Sequence, residues 1–212
     1  MKLPEDIDPA VPPPVDPPEG EEPPPEPEPI DPIGKVRSNG FEGSTISSNG
    51  EFLLAAIQRN YQGEVAVDGV LYTRIARYSI AGESWEFFLY PLDPGLGTIG
   101  LSEITNLGSD VYAVIERDDQ WGGLAAIKRV YSFTLEGVEP FDGRMLPDQL
   151  EGLDLTGKVI EKTLLFDVLE DFVPFEKVEG LTLSAGGDLW AVLDNDGGVF
   201  EPRLVNLGSP GQ

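Results

Sequence analysis

After Gly34 the chain falls into short apolar or alternating runs separated by Gly, Asn and Asp. Alternation with a period of two marks strands with one buried face, and punctuation at such short intervals predicts an all-β fold. Strands are expected at 44–47, 51–58, 71–80, 85–90, 111–117, 126–135, 159–166, 180–184, 188–194 and 203–207. The run 126–135 alternates well, placing Ile127, Arg129, Tyr131, Phe133 and Leu135 on one face. Ser48-Asn49-Gly50 and Ala185-Gly186-Gly187-Asp188 suit tight hairpin turns that need positive φ. Residues 164–172, just before Pro174, have room for one short helix.

One pattern recurs. Glu42-Gly43 is followed by Ser47 and Gly50 and then by the apolar run Phe52–Ile57; Glu179-Gly180 is followed by Ser184 and Gly187 and then by Leu189–Leu193. A looser echo, Ser102-Glu103-Ile104 with Gly108, precedes Val111–Ile115. Each unit opens on a carboxylate, forms a strand, turns at Gly and forms a second apolar strand. That order suits a β-propeller blade, four antiparallel strands with the innermost first. The spacings of 61 and 76 residues between these glutamates exceed a compact blade of about 40–45 residues. Long loops at 59–70 and 136–158 would absorb the excess. Two full units and part of a third predict an incomplete, propeller-like array of about two to three blades, the C-terminal portion of a larger ring. A smaller open sheet is the alternative.

Composition separates a leading segment from this array. Residues 1–33 hold 13 of the 20 prolines and ten acids against the single base Lys2. Proline offers no N–H and like charges repel, so this stretch reads as a disordered Pro/Glu-rich linker, with the β array occupying 34–212. The net charge is −24, of which −9 lies in residues 1–33, leaving −15 for the rest. Such a field repels nucleic acid and attracts cations, Ca²⁺ above all.

Two absences narrow the chemistry. Without histidine there is no Ser-His-Asp catalysis and no His-bearing zinc site, and without cysteine there is no disulfide and no thiol nucleophile. No apolar stretch is long enough to span a membrane as a helix, and Met1-Lys2-Leu3-Pro4 does not open a signal peptide. Ser44, Ser47 and Ser184 lack the nucleophile-elbow pattern, which disfavours a serine esterase.

Three segments in order carry a resemblance. Ser38-Asn39-Gly40-Phe41-Glu42-Gly43 with Ser47-Ser48-Asn49-Gly50 is the first; Leu101-Ser102-Glu103-Ile104 with Val114-Ile115-Glu116-Arg117-Asp118 is the second. The third is Lys177-Val178-Glu179-Gly180-Leu181-Thr182 with Val192-Leu193-Asp194-Asn195-Asp196. Together they resemble the phytase-like family described as having esterase-like activity, over roughly residues 34–208. The resemblance implies a bacterial β-propeller, exported to the periplasm or beyond in its full-length form, and hydrolysis of phosphomonoesters or phosphodiesters.

In a propeller the glutamates near the starts of the innermost strands converge at one mouth of the channel. Glu42, Glu103 and Glu179 are therefore the expected catalytic and metal-binding carboxylates. Crowded like charges need a cation or a shared proton, so Ca²⁺ is the expected cofactor, with Asp194 and Asp196 as further ligands. Glu116 and Arg117 complete the expected catalytic set, Arg117 clamping a substrate anion together with Arg59, which holds the matching place in the first unit. The expected substrate is a small phosphorylated or other ester, with no nucleic-acid partner. The alternative is a non-catalytic, Ca²⁺-stabilised propeller that binds a ligand or a protein.

Overall fold

The computed structural model describes residues 40–61, 63–141, 150, 152–195, 197–198 and 201–211. Asp196 and the linker 1–33 lie outside them. The described chain is all-β apart from a 3-10 turn at Gly122–Leu124 and the four-residue helix α1, Leu169–Phe172.

Eleven strands form three antiparallel sheets. The first contains β1 (Phe41–Ile46), β2 (Phe52–Ile57), β3 (Tyr72–Ser79) and β4 (Ser84–Pro91) in that order. The second contains β5 (Ile99–Gly108), β6 (Val111–Asp118), β7 (Lys128–Thr134) and β8 (Lys162–Asp167), again in chain order. The third contains β9 (Val178–Leu183), β10 (Leu189–Leu193) and β11 (Leu204–Gly208). This is the blade pattern expected from the repeat, and the three sheets are not closed into a barrel. The long connections fall between β2 and β3 and between β7 and β8, as predicted.

Strand periodicity explains the stacking. Leu54, Ala56, Ile75, Phe88 and Tyr90 of the first sheet pack on Ile104, Tyr112, Val114, Tyr131 and Phe133 of the second. The other face of the second sheet, with Ala113, Ile115 and Val130, packs on Val178, Leu181, Leu189 and Ala191 of the third and on Phe172 of α1. Sheet two is thus buried on both faces, which is why β6 reads as a continuous apolar run rather than an alternating one. Each fully buried Leu, Ile or Phe contributes about 1.5–3 kcal/mol, so these two cores hold the sheets together.

Strand β5 is absent from the sequence-based strand set. Its ten residues carry Gly100, Ser102, Asn106 and Gly108, and it lies between two other innermost strands rather than under a solvent face. Its neighbours are β1 on one side and β9 on the other. Side chains fasten the three together: Ser102 Oγ donates to the Val178 carbonyl at 2.6 Å, and Asn106 Nδ2 donates to the Ile46 carbonyl at 2.8 Å. Thr45 Oγ1 accepts from the Asn106 N–H at 3.1 Å. Residue 43 therefore lies opposite 103–104 and residue 102 opposite 178, so the innermost strands run side by side in one direction.

Candidate functional site

Glycines bring two arginines together at one end of these strands. Gly100 pairs with Arg117 across β5 and β6. The Gln58 carbonyl accepts from the Leu101 N–H at 2.8 Å, carrying the chain just past β2 against β5. A Cβ on Gly100 would stand 2.8 Å from the Gln58 carbonyl oxygen and 3.2 Å from Arg59 Cγ. Only the bare backbone at position 100 lets Gln58 and Arg59 pack this close against β5. Gln58, Arg59, Thr98, Gly100, Leu101 and Arg117 close up around this point and leave no free volume for a water molecule between them.

The two guanidiniums differ in their commitments. Arg117 is buried, its side chain 7% exposed, and it pairs with Glu176 at 2.9 Å and with Glu179 at 2.5 Å. Its Nε is buried without a hydrogen-bond partner, and so is the Nε of Arg59. Among the described residues Arg59 makes no ion pair; Glu42 and Asp119 feel its charge from farther away.

Glu42 completes the corner. Burial pushes its carboxyl above the ordinary 4.5, the Glu179 charge adds to the rise, and Arg117 and Arg59 oppose it. A partly buried carboxyl whose value is raised, within electrostatic reach of two guanidiniums, is a candidate for proton transfer. Two larger hollows, of about 380 Å³ beside Asn60 and Asp93 and about 320 Å³ beside Asp110 and Tyr112, lie elsewhere. Thr98 borders both the Arg59–Arg117 corner and the hollow beside Asn60 and Asp93.

The other expected site residues are placed differently. Glu103 lies over Gly43, with Oε1 accepting its neighbour Ile104's N–H at 2.8 Å. Burial raises its carboxyl, and the Ile104 N–H offsets part of the rise. It is a contact between the first two sheets rather than a third member of the Glu42–Glu179 corner.

Glu116 lies apart from Arg117. Successive residues of a strand face opposite ways, so Arg117 faces the third sheet while Glu116 faces the first. It is fully buried there, accepting from Lys162 Nζ at 2.5 Å, Tyr90 Oη at 3.1 Å and the Asp93 N–H at 2.6 Å. Asp118, on the same face as Glu116, accepts from the N–H groups of Ala126 and Ile127 at 2.7 and 2.8 Å and pairs with the fully buried Lys128 at 3.3 Å. Both acids are fully buried and held by these donors.

Asp194 is exposed at the end of β10, where its N–H donates to the Lys177 carbonyl at 2.9 Å. Asp196 is outside the described residues. Among the described residues no three acids gather closely enough to hold a metal ion. Glu179 pairs with Arg117, and Glu103 accepts the Ile104 N–H. Glu176 is a member of the corner that the sequence did not reveal; it lies outside the repeated unit and carries no motif of its own.

Among the described residues no helix is long and apolar enough to cross a membrane. No match was found among curated proteins or among solved structures. A family model named Phytase-like, described as esterase-like activity of phytase, matches residues 4–197. Since that match covers most of the chain, and since the three Glu-bearing segments fold into three equivalent sheet starts, this protein belongs to the phytase-like family.

Proposed function

We propose that the domain hydrolyses esters of phosphoric acid at the surface beside the packed Arg59–Arg117 corner, near Glu42. The observation that supports this reading most strongly is the packing of Arg59 and Arg117 around Gly100, with the Glu42 carboxyl, raised by burial, within electrostatic reach of both. Arg59, unpaired among the described residues, binds the phosphoryl oxygens, and Arg117, fixed by Glu176 and Glu179, lies beside it. Water attacks phosphorus, the bond from phosphorus to the leaving oxygen breaks, and the Glu42 proton passes to that oxygen. The proton of the attacking water ends on the phosphate product or in solvent. With no histidine in the chain, a carboxyl group is the natural proton donor.

The pH dependence follows from the direction of the Glu42 shift. The donor works protonated and its value is raised above 4.5, so kcat falls as pH rises through that raised value. Hydrolysis of bis(p-nitrophenyl) phosphate across pH 4–9 checks it: the wild type loses activity on the alkaline side, whereas Glu42→Gln is slow at every pH, down by about 10²–10⁴-fold. An alkaline limb retained at full rate in Glu42→Gln removes the assignment. A second reading, an anion-binding module without turnover, draws support from the commitment of Glu103 and Glu179 to structural contacts. Chelator-treated protein is expected to keep any activity of this corner, and loss of turnover restored only by Ca²⁺ would instead return the metal to the mechanism.

A further inference from the structure

Strand pairing lines up one row of side chains across the first sheet. Ile46 pairs with Leu53, Leu53 with Tyr78 and Tyr78 with Trp85, and directly paired residues share one side of a sheet. Leu54, next to Leu53, faces the second sheet, so this row lies on the opposite face. Ile46, Leu53 and Trp85 are exposed there, and Phe41, also exposed, stacks on Trp85 with ring centroids 5.8 Å apart. Sheets two and three show what such a face meets. Tyr112 of β6 pairs with Asn106 of β5, and Leu189 of β10 with Leu183 of β9, as Leu53 pairs with Ile46. Each is covered by the sheet before it, and they are 3% and 0% exposed, against 44% for Leu53.

The far end of the array carries the counterpart. Leu189, Ala191 and Leu193 face the second sheet, so Trp190 and Val192 face away from it. Val192 pairs with Leu204, and the two are 40% and 63% exposed. On the corresponding face, Leu54 and Ala56 of sheet one and Ala113 and Ile115 of sheet two are buried by the sheet that follows. Both junctions inside the molecule thus join a face of this second kind to a face of the first kind. Among the described residues one apolar face of each kind is left over, and exposed apolar patches of this sort mark interaction sites.

We propose that a second copy of this chain docks head to tail, its third sheet on the free face of the first sheet, continuing the stacking that joins sheets one to two and two to three. Such a contact between unlike faces forms a ring when its rotation closes and a filament when it does not. Two copies bring twice the three sheets of one chain, within the range of about 4–8 at which propellers close. A closed pair with two identical junctions is therefore the expected form.

Sedimentation velocity on the whole chain, in about 0.3 M salt to screen repulsion between the acidic copies, is expected to give twice the 23.0 kDa of one chain. Leu53→Glu/Trp85→Glu alters only the first face and Val192→Glu/Leu204→Glu only the second, and each should run as single copies. Leu124→Glu, on the exposed 3-10 turn of the second sheet, should still pair. Orientation is read independently, because the chain has no cysteine. A short bismaleimide should join Leu53→Cys to Val192→Cys when the two variants are mixed, and neither variant to itself. A wild type that runs as single copies, leaving the face to another segment of a longer chain, overturns the proposal. So does pairing that survives in either double variant, or a cross-link that joins Leu53→Cys to itself, the mark of like faces meeting.

Discussion

Gly43 shows how a single missing Cβ shapes this molecule. Its φ is +75°, and a Cβ there would stand 2.8 Å from the Ile104 nitrogen and 2.9 Å from the Glu103 Cα, besides striking the Glu103 carboxylate. Gly50 has almost the same φ, +74°, but nothing within 4 Å of the corresponding point. The pair separates backbone strain from contact. Gly50→Ala is expected to cost about 1–2 kcal/mol, the left-handed penalty alone. Gly43→Ala should cost that and about 1–3 kcal/mol more for forcing β1 and β5 apart. Urea denaturation of both variants measures the difference, and equal costs would mean that the close approach of the two strands contributes nothing. The second Glu-Gly has a different cause: a Cβ on Gly180 would strike the Val192 side chain across β10. The repeated Glu-Gly is legible in the sequence, but the reasons for its glycine are not, because each depends on a residue far along the chain.

At the scale of elements, most strands fall where alternation predicts them, and the faces are right where one side is solvated or simply apolar. Strand β7 places Tyr131 and Phe133 in the first core, as does Ile127 just before it, with Arg129 on the same face pairing with Asp93 at 2.6 Å. What the pattern could not supply is the facing of charged residues inside a doubly buried sheet. Glu116 and Arg117 are adjacent in sequence and look like one acid–base unit, yet the strand sends them into different interfaces. The partner of Glu116, Lys162, lies 46 residues away on β8, and no local signal links them.

Lys162 also pairs with Asp93 at 2.8 Å and lies over the Tyr131 ring at 4.2 Å, so it joins the loop after β4 to the second sheet. Burial raises the Glu116 carboxyl, and Lys162 holds it down. Lys162→Met therefore leaves an uncompensated buried acid and should cost about 3–5 kcal/mol at neutral pH. The sign with pH is fixed: a carboxyl raised further in the folded state costs stability above its folded value and nothing once protonated in both states. The deficit should shrink toward pH 4, and the double variant Lys162→Met/Glu116→Gln should recover much of it. A deficit independent of pH in thermal melts would show that the loss is one of packing and not of charge.

For the whole molecule, the family and the propeller-like order of sheets were readable from three short segments and their spacing, because blade starts repeat. The convergence of three carboxylates was not, since Glu103 turns to its own strand's backbone and toward Gly43 while Glu179 pairs with Arg117. The charge of −24 has a consequence of its own. For most charged-ligand enzymes salt slows capture, but here the field opposes an anionic substrate, so screening should help. The kcat/KM for a monoanionic diester is expected to rise several-fold from low salt to about 0.3 M, whereas a neutral ester should be indifferent. A fall with salt would indicate a local positive field stronger than the overall charge.

The role of the Glu42 corner is tested most directly by comparing two substitutions at equivalent places in the repeat. Steady-state hydrolysis of bis(p-nitrophenyl) phosphate by Glu42→Gln and Glu103→Gln, with both variants shown to be folded, distinguishes a site from a scaffold. With the site at the Glu42–Arg117–Glu179 corner, kcat/KM falls about 10²-fold or more in Glu42→Gln and stays within a few-fold of wild type in Glu103→Gln. Equal losses in the two variants, or a loss confined to Glu103→Gln, would place the chemistry elsewhere.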